Sequence, residues 1–448
     1  MGVIKQYLAG LAAAFGAFCL GASIGWSGPV EFAVLSGQAY KKFTPTSDEW
    51  GWVSSLMTLG AACMCVPSGI LIKAIGRKIT MLCLVLPYLV GWALIIFAQK
   101  VIMLFAGRFI VGACGGAFCI TAPMYTTEIA QVEIRGMMGC FFQLLIVHGV
   151  LYGYVAGAIC TTFVFNIACG VLPLLFFVFF VCMPESPVYL AQKGKTEKAE
   201  KALKWLRGGD ADTSAELGAM VASGNKEKVN IGESLCRKAT LKGLFVSMML
   251  MLFQQLTGIN AIIFYSTGIF VSAGTGMSGS TCTIVIGVVM VFATILAVLI
   301  IEKVGRKILL LVSAILMAIT TCIMGCYFQF LLTSNVGILP VISICIFIVG
   351  FSVGFGPVPW LLMAEVFAED IKPIAGSIAG TSNWLFAFCV TKLFPILVEH
   401  LGTGPTFWIF TVISVAAVIF IFIFVPETKG KTLDEIQAEL GKSKKEAA

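Results

Sequence analysis

The chain has 448 residues, of which 59% are apolar and only 12% charged, with 30 Lys and Arg against 23 Asp and Glu. Soluble domains are about a quarter charged and under half apolar, so this composition excludes a soluble fold. It equally excludes disorder, collagen and coiled coil. A mean hydropathy of +0.98 spreads the apolar excess over the whole chain. The reading is an all-α polytopic membrane protein.

The net charge of +7 does not point to nucleic acid, because the basic residues are dispersed or sit in short loops. Most of the 16 Cys lie inside apolar runs, and none forms a C-x-x-C pair beside a His cluster. They read as small buried hydrophobes, not as a metal site or a disulfide framework. Lys5 precedes a long apolar stretch without an A-x-A site, which reads as a retained first span and not a removed signal peptide. Gly2 has Gln6, not Ser or Thr, at the myristoylation position.

A span needs about 20 apolar residues. Twelve stretches qualify, at 8–28, 51–72, 79–98, 101–124, 137–158, 161–182, 242–272, 281–301, 308–331, 336–363, 374–398 and 404–425. The long polar stretch from Pro184 to Thr240 divides them into two groups of six. Within it, Thr196–Arg207 reads as an amphipathic surface helix with Ala199, Leu203 and Leu206 on one face. The expected organisation is a six-helix half at 1–183, a linker at 184–240, a second half at 241–426 and a tail at 427–448. One set of loops holds Lys73, Arg77, Lys78, Arg135, the central cluster, Lys303, Arg306, Lys307, Lys372 and the basic tail. The opposite set holds Lys41, Lys42 and Lys100, with Lys392 near a span end. The positive-inside rule then places both termini in the cytoplasm, and the expected location is the plasma membrane.

An internal repeat supports the two halves. Ile72–Lys78 (IKAIGRK) follows the second span, and Ile301–Lys307 (IEKVGRK) follows the eighth. Gly76 and Gly305 are 229 residues apart, Glu128 and Glu365 237, Pro184 and Pro426 242. Three motif pairs in one order at nearly one spacing are hard to obtain by chance.

Together these motifs are specific. Gly76-Arg77-Lys78, Gly107-Arg108-Phe109, Pro123-Met124-Tyr125 with Glu128, Arg135-Gly136 and Pro184-Glu185-Ser186-Pro187 stand in the first half. Gln254 to Asn260 (QQLTGIN), Gly354 to Trp360 (GFGPVPW), Asn383-Trp384 and Pro426 to Gly430 (PETKG) stand in the second. The chain resembles the sugar porters of the major facilitator superfamily over nearly its whole length, and looks most like the insect facilitated trehalose transporter branch. The resemblance implies the major facilitator fold, sugar transport, and a site without cofactor or metal.

A sugar is a neutral polyol, and an amide offers it donors and an acceptor at once. Gln143, Gln254, Gln255, Asn260 and Asn383 are amides at membrane depth, where polar groups are costly. Interhelical hydrogen bonding is the other use of such groups. The resemblance places Gln143, Gln254, Gln255, Asn260, Trp360 and Asn383 at sugar-contacting positions, with Phe264 and Tyr265 in the outer gate. Trp384 is a second candidate wall. Gly258 is expected to interrupt the seventh span, and Pro357 and Pro359 to break the tenth. Arg77, Glu128 and Arg135, and likewise Arg306, Glu365 and Lys372, form candidate latches at the cytoplasmic helix ends. The resemblance adds Glu185 and Glu427. Such latches are expected to hold the inner side closed and to break as it opens.

The chain departs from the porter pattern at several points. Lys73 stands for an Asp and Ala74 for a basic residue, and Lys73 is expected to repel Arg77. Val188 and Lys372 each replace an Arg, and Met290 a polar cavity residue. Proton-coupled relatives carry an Asp where Ser27 stands, and no carboxylate is expected to be buried in a span of the first half. Arg108 therefore lacks its proton partner. His148 is read as a packed, hydrogen-bonded group. The expected activity is facilitated diffusion of trehalose or a hexose. A proton-coupled symporter and a non-transporting sugar sensor remain the alternatives. An enzyme is not expected, since no nucleophile–base or metal constellation appears. The partners are the sugar and the bilayer, with no obligate protein partner implied.

Overall fold

The computed structural model describes residues 2–209, 211–224, 236–332, 336–367, 371–431 and 433–441. Twelve helical segments are long and apolar enough to cross a membrane. They are Gly2–Leu35, Ser47–Ile75, Arg77–Ile96, Val101–Ile129, Glu133–Ile159 and Thr162–Phe180 in the first half. Lys238–Phe264, Gly279–Ile301, Arg306–Leu331, Ile338–Met363, Ile374–Leu401 and Thr403–Phe424 make the second. A helix satisfies every backbone group within itself, which hydrocarbon demands.

Several helices outrun the hydropathy that marks them. The first runs from Gly2 to Gly25 and continues through Trp26, whose backbone stays helical at φ −64° and ψ −38°, as Ser27–Leu35. Pro29 lacks the N–H that Gly25 O would accept, which interrupts the hydrogen-bond ladder between the two pieces. A capping box starts the second span: Glu49 N donates to Thr46 Oγ1, and Thr46 N to Glu49 Oε2.

Two spans are interrupted where the sequence predicts. The seventh runs Lys238–Leu256, breaks at Thr257 and Gly258, and resumes as Ile259–Phe264 and Ser266–Ala273. Gly258 has φ +98°, and a Cβ there would stand 2.7 Å from the Phe410 ring. Both constraints demand glycine. The tenth span stops at Val353 and restarts at Val358.

The helix Thr196–Arg207 docks under the first span. Gln6 Nε2 donates to Leu206 O at 3.2 Å, and Ala199, Leu203 and Leu206 are buried. The helix Leu433–Gly441 docks under the second half through Gln437 Nε2 to Val366 O at 2.6 Å. The start of the first span, the helix Thr196–Arg207 and the helix Leu433–Gly441 thus share one side of the bundle, the terminal face.

The halves meet chiefly where the second span packs on the eleventh and the fifth on the eighth. Toward the far face, Lys392 pairs with Asp48 at 2.5 Å and lies over the Trp52 ring at 4.5 Å. Thr58 and Thr391 hydroxyls stand 3.5 Å apart, and Tyr154 OH donates to Ile263 O at 2.9 Å. These cross-half bonds all lie in the far half of the bundle, so the far side is shut.

Candidate functional site

Four of the five predicted amides converge. The breaks in the seventh and tenth spans let side chain and exposed carbonyl meet at mid-membrane. Asn260 Nδ2 donates to Gln255 Oε1 at 2.5 Å, and Gln255 Nε2 donates to Asn383 Oδ1 at 2.9 Å. Asn383 Nδ2 donates to Gln254 Oε1 at 2.6 Å. Gln254 Nε2 closes the chain on Phe355 O at 2.5 Å and Gly356 O at 3.0 Å, carbonyls that the broken tenth helix leaves free. All four amides are buried. Donation runs one way, so the Asn260 carbonyl is an open acceptor at one end, and Gln255 and Asn260 each retain a second N–H. No charged side chain is part of the chain.

Aromatic groups border this chain. Trp360 is half-buried and lies against Gly380, whose Cβ would stand 3.8 Å from the indole ring. Trp384 is buried, and its indole N–H has no hydrogen-bond partner. Phe264 is wholly buried. Tyr265 donates its hydroxyl to Thr391 O at 2.8 Å and packs on Phe394 at 5.4 Å. Gln143 is half-buried on the fifth span, and no hydrogen bond joins it to the other amides. The Phe355, Gly356 and Thr391 carbonyls carry no sequence signature, so residue types alone did not point to them.

At the terminal face the repeat becomes a repeated structure. Arg77 Nη2 and Nε donate to Glu128 Oε1 at 2.6 and 3.2 Å, and Nη1 to Ile72 O at 3.2 Å. Arg306 does the same to Glu365 Oε1, at 2.7 and 3.1 Å, and to Ile301 O at 3.3 Å. Glu185 accepts from the backbone N–H groups of Arg77, Lys78 and Ser186. Glu427 accepts from those of Arg306, Lys307, Thr428 and Lys429. Ser186 Oγ donates to Glu128, and Thr428 Oγ1 to Glu365. Gly76 and Gly305 take φ of +99° and +105° against these carboxylates, which suits only glycine.

Each cluster ties together four helix ends of its own half, those of the second, third, fourth and sixth spans or of the eighth, ninth, tenth and twelfth. Arg135 is exposed and not drawn into the first cluster. Lys372 begins the helix of the eleventh span. Lys73 is exposed, and Arg77 holds Glu128 regardless of the lysine one turn back.

Burial raises the Glu427 carboxyl, but the four backbone donors outweigh it and hold the group below its usual range. A depressed folded value gives stability that is complete above the ordinary value of 4.5 and lost only as pH falls further. Glu427→Gln is therefore expected to melt below the parent at pH 7 and pH 5, the gap narrowing only under more acid conditions. A gap that closes between pH 7 and pH 5 would contradict this.

Arg108 is completely buried. It donates to Ser27 Oγ and Ser23 O at 2.8 Å and to Val53 O at 3.2 Å, and lies over Trp26 at 4.8 Å. Among the described residues no carboxylate pairs with it. His148 Nδ1 lies 2.7 Å from Leu144 O, one turn back in its own helix. Met290 is buried in the eighth span. One expectation is corrected: Glu31 is a half-buried carboxylate within the first span, with Oε2 shielded from solvent. The predicted first span ended at residue 28, and the helix piece Ser27–Leu35 carries it further.

A family model described as "Sugar (and other) transporter" matches residues 9–440. The facilitated trehalose transporter Tret1-2 homolog of Drosophila sechellia is 36% identical over 97% of this chain and 91% of its own length. The facilitated trehalose transporter Tret1 of Polypedilum vanderplanki is 36% identical over 98% of this chain and 88% of its own length. Against the longer Drosophila mojavensis Tret1 the chain spans about half of the relative, 51%. Among solved structures, the E. coli xylose transporter XylE in a partially occluded inward open conformation superposes with a TM-score of 0.81. It is 24% identical and covers 96% of this chain and 99% of its own. The proton:xylose symporter XylE bound to 6-bromo-6-deoxy-D-glucose gives 0.80 at 26% identity, over 98% of this chain and 100% of its own.

Proposed function

The chain belongs to the sugar (and other) transporter family, and from this premise we propose that it carries trehalose or a hexose down its gradient by alternating access. It is a multi-pass membrane transporter and not an enzyme. The observation that carries the reading is the one-way amide chain Asn260–Gln255–Asn383–Gln254, neutral throughout, with open donors and an acceptor at its end. A polyol without charge is the ligand that such a surface recognises.

In this reading Gln254, Gln255, Asn260 and Asn383 hold hydroxyls from the second half. Gln143 meets the sugar from the first half and Trp360 supplies a face for its C–H side. Trp384, with its free indole N–H, closes over the sugar, and Phe264 and Tyr265 shut the far side. The clusters Arg77–Glu128–Glu185 and Arg306–Glu365–Glu427 shape the two rims that meet when the terminal face shuts, Arg135 joining only then. Ser27 at the Arg108 contact supports uniport, since no carboxylate there exchanges a proton with the sugar cycle. Lys and Arg on the terminal-face loops support cytoplasmic termini, and the plasma membrane is the proposed location.

Purified protein in vesicles, offered radiolabelled trehalose or glucose, is the test. Flux that saturates, and that proceeds without a proton gradient, is expected. Flux that requires the gradient would overturn uniport, and none at all would overturn transport. Competition between the two sugars identifies the cargo.

A further inference from the structure

Glu31 lies on the helix Ser27–Leu35, one turn beyond Ser27, and this helix packs on Ser266–Ala273 of the other half. The fit is close. A Cβ on Gly268 would stand 3.0 Å from Glu31 Oε2, so the missing side chain is what admits the carboxyl. Gly28 meets the same segment in the same way, its Cβ position 2.9 Å from Ser266 Oγ. Oε2 is buried beside the Trp50 indole N–H, and Ser54 Oγ beside the Tyr265 hydroxyl, with no hydrogen bond inside 3.5 Å; Thr267 Oγ1 is buried in the same way. These neutral groups come from the first, second and seventh spans, at the shut far side.

The titratable groups on the surrounding elements are engaged elsewhere. Tyr265 bonds Thr391 O, Tyr154 bonds Ile263 O, Asp48 pairs with Lys392, and Glu49 caps its own helix. Arg108 reaches the helix only at Ser27. With Oε2 shielded from water and no cation beside it, the ionised carboxylate is penalised far more than the neutral acid. Once the two halves part on this side, water reaches the group and the penalty disappears.

We propose that Glu31 is a proton-operated element of the far-side gate, which shuts over the carboxylic acid and stands open with the carboxylate. The carboxylate takes a proton from far-side water as the gate shuts and returns it to the same water on opening. The proton therefore sets the rate without driving accumulation, a feature that rests on the facilitative reading. Raising the far-side pH favours the open gate and slows its closure.

The test is glucose exchange in vesicles whose two sides are buffered separately. Flux is expected to fall as far-side pH rises, with a limiting slope of about tenfold per pH unit for one proton bound per closure. Changing the terminal-face pH alone leaves flux level. Glu31→Gln loses the slope. A wild-type flux indifferent to far-side pH, or a slope surviving in E31Q, overturns the proposal. So does sugar accumulation driven by a proton gradient, which overturns uniport as well. A readout independent of flux is labelling of T267C by an impermeant thiol reagent from the far side. Referenced to T267C/E31Q, labelling rises with pH if the gate opens on ionisation, and equal labelling overturns the idea even where no sugar moves.

Discussion

Asn383→Leu is expected to cut sugar uptake about a hundredfold or more while the protein still reaches the membrane. Asn383 is the link through which Gln255 and Gln254 are joined, accepting from one and donating to the other. Leucine fills its volume and leaves Gln254 Oε1 and Gln255 Nε2 buried without those partners. Each orphaned group costs about 1–3 kcal/mol, and about 1.4 kcal/mol is a factor of ten. The fold escapes most of this cost. Interhelical hydrogen bonds in membranes average about 0.6 kcal/mol, because the separated helices find other partners. Sugar recognition has no such escape, since the amides are then free to turn toward each other or toward water. Uptake normalised to surface protein, with the melting temperature measured alongside, separates the two effects. Near-normal uptake by N383L would reduce the amide chain to packing and leave the sugar site unassigned.

The amides were visible in the sequence because membrane depth makes any polar residue conspicuous, and Gly258 because a glycine beside them marks a break. Their partners on the tenth span were not visible, because a freed carbonyl belongs to no residue type: Gly354 to Pro357 reads as turn residues, without saying which oxygen Gln254 will take. The repeat was legible down to its residues. What it could not say was which glutamate each arginine holds and which one gathers backbone N–H groups. That division follows from Gly76 and Gly305, whose left-handed turns aim successive N–H groups at Glu185 and Glu427. Glu31 was missed for a different reason. Hydropathy ends a span where polarity begins, but Ser27–Leu35 is kept helical by packing on the other half, which no local window contains. The Asp48–Lys392 pair, 344 residues apart in sequence, is hidden in the same way.

Arg77→Met should destabilise the protein more than Arg306→Met, and each should slow transport about tenfold. Both arginines are nearly buried, at 6% and 7% side-chain exposure, but their partners differ: Glu128 is 15% exposed and Glu365 24%. Breaking a buried pair costs about 3–5 kcal/mol because the remaining charge is uncompensated, and water reduces that cost in proportion to its access. Methionine keeps the stem's packing, so the loss reports the charge and its hydrogen bonds. Loss of Arg77 leaves Glu128 with the Ser186 hydroxyl, and loss of Arg306 leaves Glu365 with Thr428 Oγ1. The transport effect follows from geometry. Each arginine also donates to a carbonyl of the preceding helix end, Ile72 or Ile301, so its removal loosens the rim that must meet its counterpart for the terminal face to shut. Thiol labelling from the terminal face should rise in both variants, and the double variant should show the sum, since the clusters lie in different halves and share no partner. If neither variant changes labelling or melting, the pairs are worth no more than ordinary surface ion pairs. The repeated geometry of the two clusters would then reflect only how four helix ends of each half are tied together.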